Sequence, residues 1–173
     1  MSFKLTPFRL YSKLRSISRI KYWRGHGVHS PFMYHLVRNA LMRHRLIDNT
    51  ALSQTDFKSL GICQREQTMI KNIYVTNNYT QFKIVTADTQ PESDTLYLIP
   101  LKCDDSIIGL FFSRIAQLDN CGIIFGNTNR SHKRYNKCKS IVQRLNCVSL
   151  TLHCMFIIFI GEGLKKQHYR MRN

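Results

Sequence analysis

Two histidines, His26 and His29, stand just ahead of a helix start in this chain, with Arg24 close by. Ser30 followed by Pro31 is the pattern of a capping residue with proline at the first helical position. Free backbone N–H groups and the helix dipole favour an anion at such a point. The candidate ligands of a phosphate or carboxylate are therefore Arg24, His26, His29 and Ser30. In the alternative that we favour, Ser30 caps the helix and the histidines hydrogen-bond to loop carbonyls.

Metal and nucleophile chemistry have less support from the residues. The scattered histidines His132, His153 and His168 show no metal-ligand spacing. His153 and Cys154 have no third supporting group in the sequence, and neighbouring residues in extended backbone place their side chains on opposite faces, which argues against a nucleophile–base pair. The six cysteines include no Cys-x-x-Cys pair. This pattern predicts no metal site and indicates reduced, mostly buried thiols in a cytoplasmic protein.

Basic residues are concentrated at both ends of the chain. Residues 1–47 hold ten Lys and Arg and no acid, residues 129–173 hold ten and one acid, and the middle holds six and nine acids. A net charge of +16 distributed in this way attracts polyanions such as RNA, DNA or an anionic membrane surface. The alternative, given equal weight, is a solvated surface. The candidate polyanion surface comprises Arg9, Lys13, Arg19, Lys21, Lys133, Arg134, Lys137 and Lys139.

Residues 1–47 are predicted to form a basic helical arm. Thr6 and Pro7 begin a first amphipathic helix that ends at Gly25, and Ser30 begins a second that ends in a basic run at Arg45. The hydrophobic content of 43% is typical of a globular protein and argues against general disorder. No apolar run approaches the length of about 20 residues that a membrane-spanning helix needs, and we expect no secretory signal.

Residues 56–173 are predicted to form one α/β domain. Short β-rich runs predict strands at 82–87, 95–101, 121–125, 148–152, 155–160 and 167–171. Apolar periodicity and capping residues predict helices at 55–67, 104–118 and 131–145. This order of strands and helices is typical of the second half of an α/β domain.

Residues 24–32, Arg-Gly-His-Gly-Val-His-Ser-Pro-Phe, resemble the N-terminal signature of a family of bacterial class I S-adenosylmethionine-dependent methyltransferase-like proteins. That family usually shows an apolar strand with an acidic turn, a Ser-led helix, a closing hairpin and a final Gln-His-aromatic strand. Residues 123–131 and 166–170 of this chain stand in the corresponding places. The resemblance implies an incomplete Rossmann-like methyltransferase domain with a mixed sheet and antiparallel C-terminal strands, preceded by two basic helices.

The resemblance also implies that a block is missing near residues 46–55, where the family holds its first strand, cofactor turn and second strand. A glycine-rich turn lets the backbone approach the cofactor closely, yet Gly61 stands alone between Leu46 and Pro100. Gly126 and Asn127 replace the acidic pair of the family pattern. The chain therefore resembles a truncated or degenerate member, with no cofactor-binding residues and no assignable catalytic residue.

Three functions remain open on the sequence. The first is an inactive methyltransferase-like protein, a pseudoenzyme or remnant; the second is a basic module that binds a polyanion. The third is an active enzyme that uses S-adenosylmethionine through a divergent site. The missing strands beside 95–101 further predict an uncovered sheet edge, and hence a homodimer, coverage by the N-terminal arm, or poor solubility.

Overall fold

The structure is a computed structural model, and it describes residues 30–115 and 118–171. The helices are α1 (Pro31–Leu36, continued by a π-helical turn, Val37–Leu41), α2 (Gln64–Thr76), α3 (Asp105–Ile115) and α4 (His132–Arg144). The strands are β1 (Gln81–Ile84), β2 (Thr95–Ile99), β3 (Cys121–Phe125), β4 (Val148–Thr151), β5 (Phe156–Ile160) and β6 (Gln167–Arg170). The predicted α/β class is confirmed.

The six strands form one mixed sheet in the order β1-β2-β3-β5-β4-β6. Strands β1, β2 and β3 are parallel, β5 runs antiparallel to both β3 and β4, and β6 is parallel to β4. The expected mixed sheet is confirmed, and β4 and β5 are antiparallel as expected. The last strand, β6, departs from the expected antiparallel C-terminal strands, because it runs parallel to β4. No strand separates β1 from β2, since Gln81 lies directly opposite Thr95 in the register.

Helices cover both faces of the sheet and give it two hydrophobic cores. One core joins α1 and α2 to alternate strand residues such as Leu96, Ile124 and Ile157. The other joins α3 and α4 to residues that point the opposite way, such as Tyr97 and Ile123. Strands β2, β3 and β5 are buried along their whole length because both faces are covered, which explains their nearly continuous apolar sequences.

The second predicted helix of the N-terminal arm is present as α1, but with its π-helical turn it ends at Leu41 and does not extend to Arg45 as predicted. Ser30 caps it by accepting a hydrogen bond from Met33 N–H at 3.4 Å, and Pro31 occupies its first turn. Met33, Leu36 and Val37 are buried in the same core as the sheet. Residues 30–41 are therefore packed into the α/β body.

The helix predicted at 55–67 is wrong. Residues 57–61 form turns, because Asp56 accepts the backbone N–H groups of Lys58 and Ser59 and Gly61 has a left-handed φ of 72°. The helix begins instead at Gln64, where Glu66 accepts the N–H of Cys63 at 2.8 Å. The first turns of this helix are polar, so the apolar periodicity of its later, buried residues was not recognised in the sequence.

Among the described residues, the structure contains no helix long and apolar enough to span a membrane.

We expect Gly122→Ala to lower the free energy of unfolding by about 1–3 kcal/mol, the usual cost of overpacking a core. A Cβ at this position of β3 would lie 2.6 Å from Tyr79 Oη and 2.7 Å from Leu96 Cδ1. Gly109→Ala is the matched control, since a Cβ there meets nothing within 4 Å on the exposed side of α3. The control should gain about 0.5–1 kcal/mol from helix propensity. Urea unfolding measures both, and equal effects would contradict the packing of β3.

Candidate functional site

The carboxyl ends of β1, β2 and β3 meet at one edge of the sheet because these strands are parallel. In open α/β sheets, ligands bind in the crevice at this edge. Here the edge is formed by the turns at 85–89, 100–104 and 126–129. It is therefore the first place to look for a functional site, and its chemistry is set by the side chains that project into it.

The guanidinium group of Arg134 occupies the space between the ends of β2 and β3. Its Nη2 donates to the carbonyl oxygens of Ile99 at 2.6 Å and Pro100 at 3.0 Å, and its Nε donates to that of Gly126 at 3.2 Å. The side chain stacks over Phe125, with 5.4 Å from Cζ to the ring centroid, and the residue is 8% exposed. Burial lowers the pKa of Arg134. The buried guanidinium thus provides hydrogen-bond donors for three backbone carbonyl oxygens at the ends of β2 and β3.

The turn after β3 is closed on its other side by the segment at 57–63. Asn127 is buried, adopts a left-handed φ of 56°, and donates from Nδ2 to the carbonyl oxygen of Gly61 at 3.3 Å. A Cβ on Gly126 would lie 2.8 Å from Ile62 Cδ1, so a larger residue here would require the end of the Ile62 side chain to shift. The turn is therefore packed against protein at the position where a ligand would otherwise contact it.

The same turn is tied to the connection between β4 and β5. The N–H of Thr128 donates to the carbonyl oxygen of Cys154 at 2.9 Å, and Asn129 Nδ2 lies 3.3 Å from Cys154 Sγ. Burial and the neighbouring Glu66 carboxylate raise the pKa of Cys154 to about 12. At neutral pH this residue is a thiol, which is a poor nucleophile compared with a thiolate. Cys154 therefore has a packing role in this arrangement.

A serine–histidine contact joins β4 and β6, the two strands farthest from β1 in the sheet. Ser149 Oγ is 2.8 Å from His168 Nδ1 and 3.3 Å from the carbonyl oxygen of Gln167. The tautomer of the imidazole decides whether Ser149 or His168 donates in this contact. The other ring nitrogen, Nε2, lies 3.3 Å from Thr151 Oγ1 and 3.5 Å from Arg170 Nε. The contact joins β4 to β6.

The predicted site residues are only partly covered by the structure. Arg24, His26 and His29 lie outside the described residues, as do Arg9, Lys13, Arg19 and Lys21. Ser30 is present as the α1 cap. Within 30–115 and 118–171, the structure contains no group of three His, Cys, Asp or Glu side chains arranged to hold a metal ion.

The basic residues predicted on α4 differ in environment. Lys133 forms an ion pair with Asp105, with 2.9 Å between Nζ and Oδ2. Lys137 and Lys139 are partly exposed, and Lys139 lies 5.0 Å from the centroid of the Tyr135 ring. Arg134 must be removed from the predicted surface, because it is buried beneath the strand ends. Polyanion binding by the others stays a prediction.

Sequence reasoning missed the buried role of Arg134, although a signal for it exists. Arg134, Cys138 and Ile141 are the buried residues of α4, and they recur at i, i+4 and i+7. This is the spacing of a helix face that packs on a core. The adjacent basic residues obscure the pattern, because a run of cations is usually read as a solvated surface.

We expect Arg134→Met to lower the free energy of unfolding by about 2–4 kcal/mol, because three carbonyl oxygens lose a charged donor. Arg134→Lys should recover part of this loss, since an ammonium cannot reproduce the guanidinium fork. Lys133→Met is the matched neighbour and should change stability little, because its ion pair is exposed. Chemical denaturation of the three variants is the test. A stable Arg134→Met variant would contradict a structural role for the cation.

Comparison of the chain with models of known protein families, with curated proteins and with solved structures finds no match. Functional inference therefore depends on the residues of this chain and on the contacts described above.

Proposed function

We propose that this protein is methyltransferase-family-like but does not bind S-adenosylmethionine and does not transfer methyl groups. One observation carries the proposal: the guanidinium of Arg134 fills the crevice between the ends of β2 and β3 and donates to three backbone carbonyls there. A ligand entering this crevice would have to displace a buried cation and leave those carbonyls without a donor. Such a displacement is costly in a buried site.

The pairing of β1 with β2 supports the same proposal. The resemblance in sequence implies that a first and a second strand, with the cofactor turn between them, are missing ahead of residue 56. In a sheet that lacks these two strands, we expect another strand to pair directly with β2, and β1 does so. Gly61, the one glycine between Leu46 and Pro100, lies in a turn whose carbonyl accepts from Asn127. Gly61 therefore serves a contact within the protein.

Asn127 adds a chemical argument. It stands where the family pattern has an acidic residue, and its amide donates a hydrogen bond to the Gly61 carbonyl. A carboxylate could not donate in this position and would face the carbonyl with like partial charge. The replacement therefore fits a turn that holds the domain together and does not fit a catalytic or ligand-orienting acid.

The test is a thermal-shift and calorimetric titration with S-adenosylmethionine and S-adenosylhomocysteine. A ligand that binds only the folded state raises the melting temperature, and the stabilisation grows with the logarithm of the ligand concentration above Kd. We expect no rise in melting temperature and no saturable binding heat up to about 1 mM ligand, which corresponds to less than about 4 kcal/mol of binding free energy. A known methyltransferase in the same assay is the positive control. A concentration-dependent rise in melting temperature together with a saturable binding heat for either compound would restore the enzyme hypothesis.

Polyanion binding is the second candidate function, favoured by the environment of Lys137 and Lys139. Both are partly exposed on α4. Among the described residues the structure gives ion pairs to Lys83 and Lys133, and it gives none to these two lysines. Their charges therefore remain available to phosphate groups. The basic residues Lys13, Arg19 and Lys21 of the arm would add to this surface, but they lie outside the described part of the chain.

We expect the affinity for single-stranded RNA to fall steeply with salt and to depend little on base sequence. Each phosphate contact contributes about 0.7 to the slope of log K against log salt concentration. The double variant Lys137→Gln, Lys139→Gln should reduce that slope by the contribution of about two phosphate contacts. Lys58→Gln with Lys83→Gln removes the same charge elsewhere and is the control. Filter binding between about 50 and 200 mM salt measures the slope, and equal slopes for both double variants would exclude α4 as the interface.

A further inference from the structure

We propose that a small phosphomonoester binds in a cavity beside the first two turns of α2. This proposal goes beyond the proposed function, because the cavity does not use the crevice at the ends of β2 and β3. It has a volume of about 280 Å³. Its polar lining includes Arg43, His44, Arg65 and Thr68, and Leu41 and Met69 provide apolar surface.

The cavity is held open by a buried asparagine that connects its two walls. Asn72 of α2 is fully buried, and its Nδ2 donates to the carbonyl oxygen of Arg45 at 3.0 Å. Its Oδ1 accepts the N–H of Ile47 at 2.9 Å. These two bonds fix the segment that carries Arg43 against the helix that carries Arg65. The cationic side chains are therefore brought together by the fold and are not simply neighbours in sequence.

The end of the preceding helix also contributes to this geometry. The π-helical turn Val37–Leu41 closes with a hydrogen bond from Met42 N–H to the Val37 carbonyl oxygen at 3.0 Å. Such turns are rare and occur frequently at functional sites. This turn directs the chain out of α1 at Leu41, so that Arg43 and the next residue reach the first turns of α2.

The positive charge in the cavity is not neutralised by neighbouring acids. Within the described part of the chain, the structure gives no ion pair to Arg43, His44 or Arg65, and all three are exposed. Glu66 follows Arg65 directly, but it is buried and accepts the backbone N–H of Cys63 at 2.8 Å. The cavity therefore favours an anionic occupant.

A phosphomonoester matches this combination of groups. The guanidinium groups of Arg43 and Arg65 have the fork geometry that suits phosphate oxygens, and the imidazole of His44 can add a further donor. The cavity volume of about 280 Å³ is several times the share of about 30 Å³ that one water takes in the liquid. It therefore has room for an organic group, and Leu41 and Met69 give that group an apolar contact.

Calorimetry with inorganic phosphate and phenyl phosphate tests the proposal on the full chain. We expect saturable binding of both, tighter for phenyl phosphate, and none of phenol. Arg43→Gln and Arg65→Gln should each weaken binding about tenfold, the effect of losing one charge-assisted hydrogen bond. Arg144→Gln, which removes an exposed arginine from the end of α4, is the matched control and should bind normally. Absence of binding by the wild-type chain, or equal weakening by the control, overturns the proposal.

Two further measurements keep the result decisive. If a variant does not fold, phenylglyoxal modification of the wild-type chain replaces it, since phenyl phosphate should protect Arg43 and Arg65 and leave Arg144 reactive. An oligonucleotide with a 5′-phosphate should compete with phenyl phosphate, and the same oligonucleotide without it should not. Equal competition by both would show that the cavity contacts a polyanion backbone, which overturns the assignment to a phosphomonoester.

Discussion

The contacts of Arg134 hold together the part of the domain where three parallel strands end. Backbone carbonyls at the ends of buried strands need donors, and water cannot reach them once helices cover both faces. One guanidinium supplies donors to carbonyls of β2, of the residue after it, and of the turn after β3. Strands that come from distant parts of the chain are thus joined by a single side chain of α4. The geometry of the neighbouring turns depends on this group remaining in place.

Side chains and turns of the protein itself fill the crevice at the ends of these strands. In α/β proteins that bind nucleotides, the strand ends leave room for a ligand because small residues and free N–H groups line the turns. In this chain Asn127 turns inward to Gly61, and Gly126 lets Ile62 approach closely. The space is used for internal packing. The sheet therefore has the architecture of an α/β domain, and contacts within the protein fill the position at its strand ends where other α/β proteins bind ligands.

Positive charge is used in two different ways in this protein. Arg134 is buried and compensated by carbonyl dipoles, so its charge is not available to an external partner. Arg43, Arg65, Lys137, Lys139 and Arg144 are exposed or partly exposed, and among the described residues the structure gives them no ion pair. An unpaired cation at the surface attracts anions, whereas a buried one stabilises its own fold. Both of our proposals of anion binding therefore concern exposed cations, beside α2 and along α4.

The sequence by itself determined most of the local elements. Ser30 and Ser131 predict helix starts, and both side chains cap their helices. The apolar runs of β2, β3 and β5 predict buried strands. These signals are local, since a cap or an apolar run depends on neighbours in the chain. Tertiary structure alone decided which carbonyl oxygens Arg134 contacts, because these acceptors are eight to 35 residues away. It also decided that Asn72 brings Arg43 to α2, since contacts across 25 and 27 residues have no signature in local spacing.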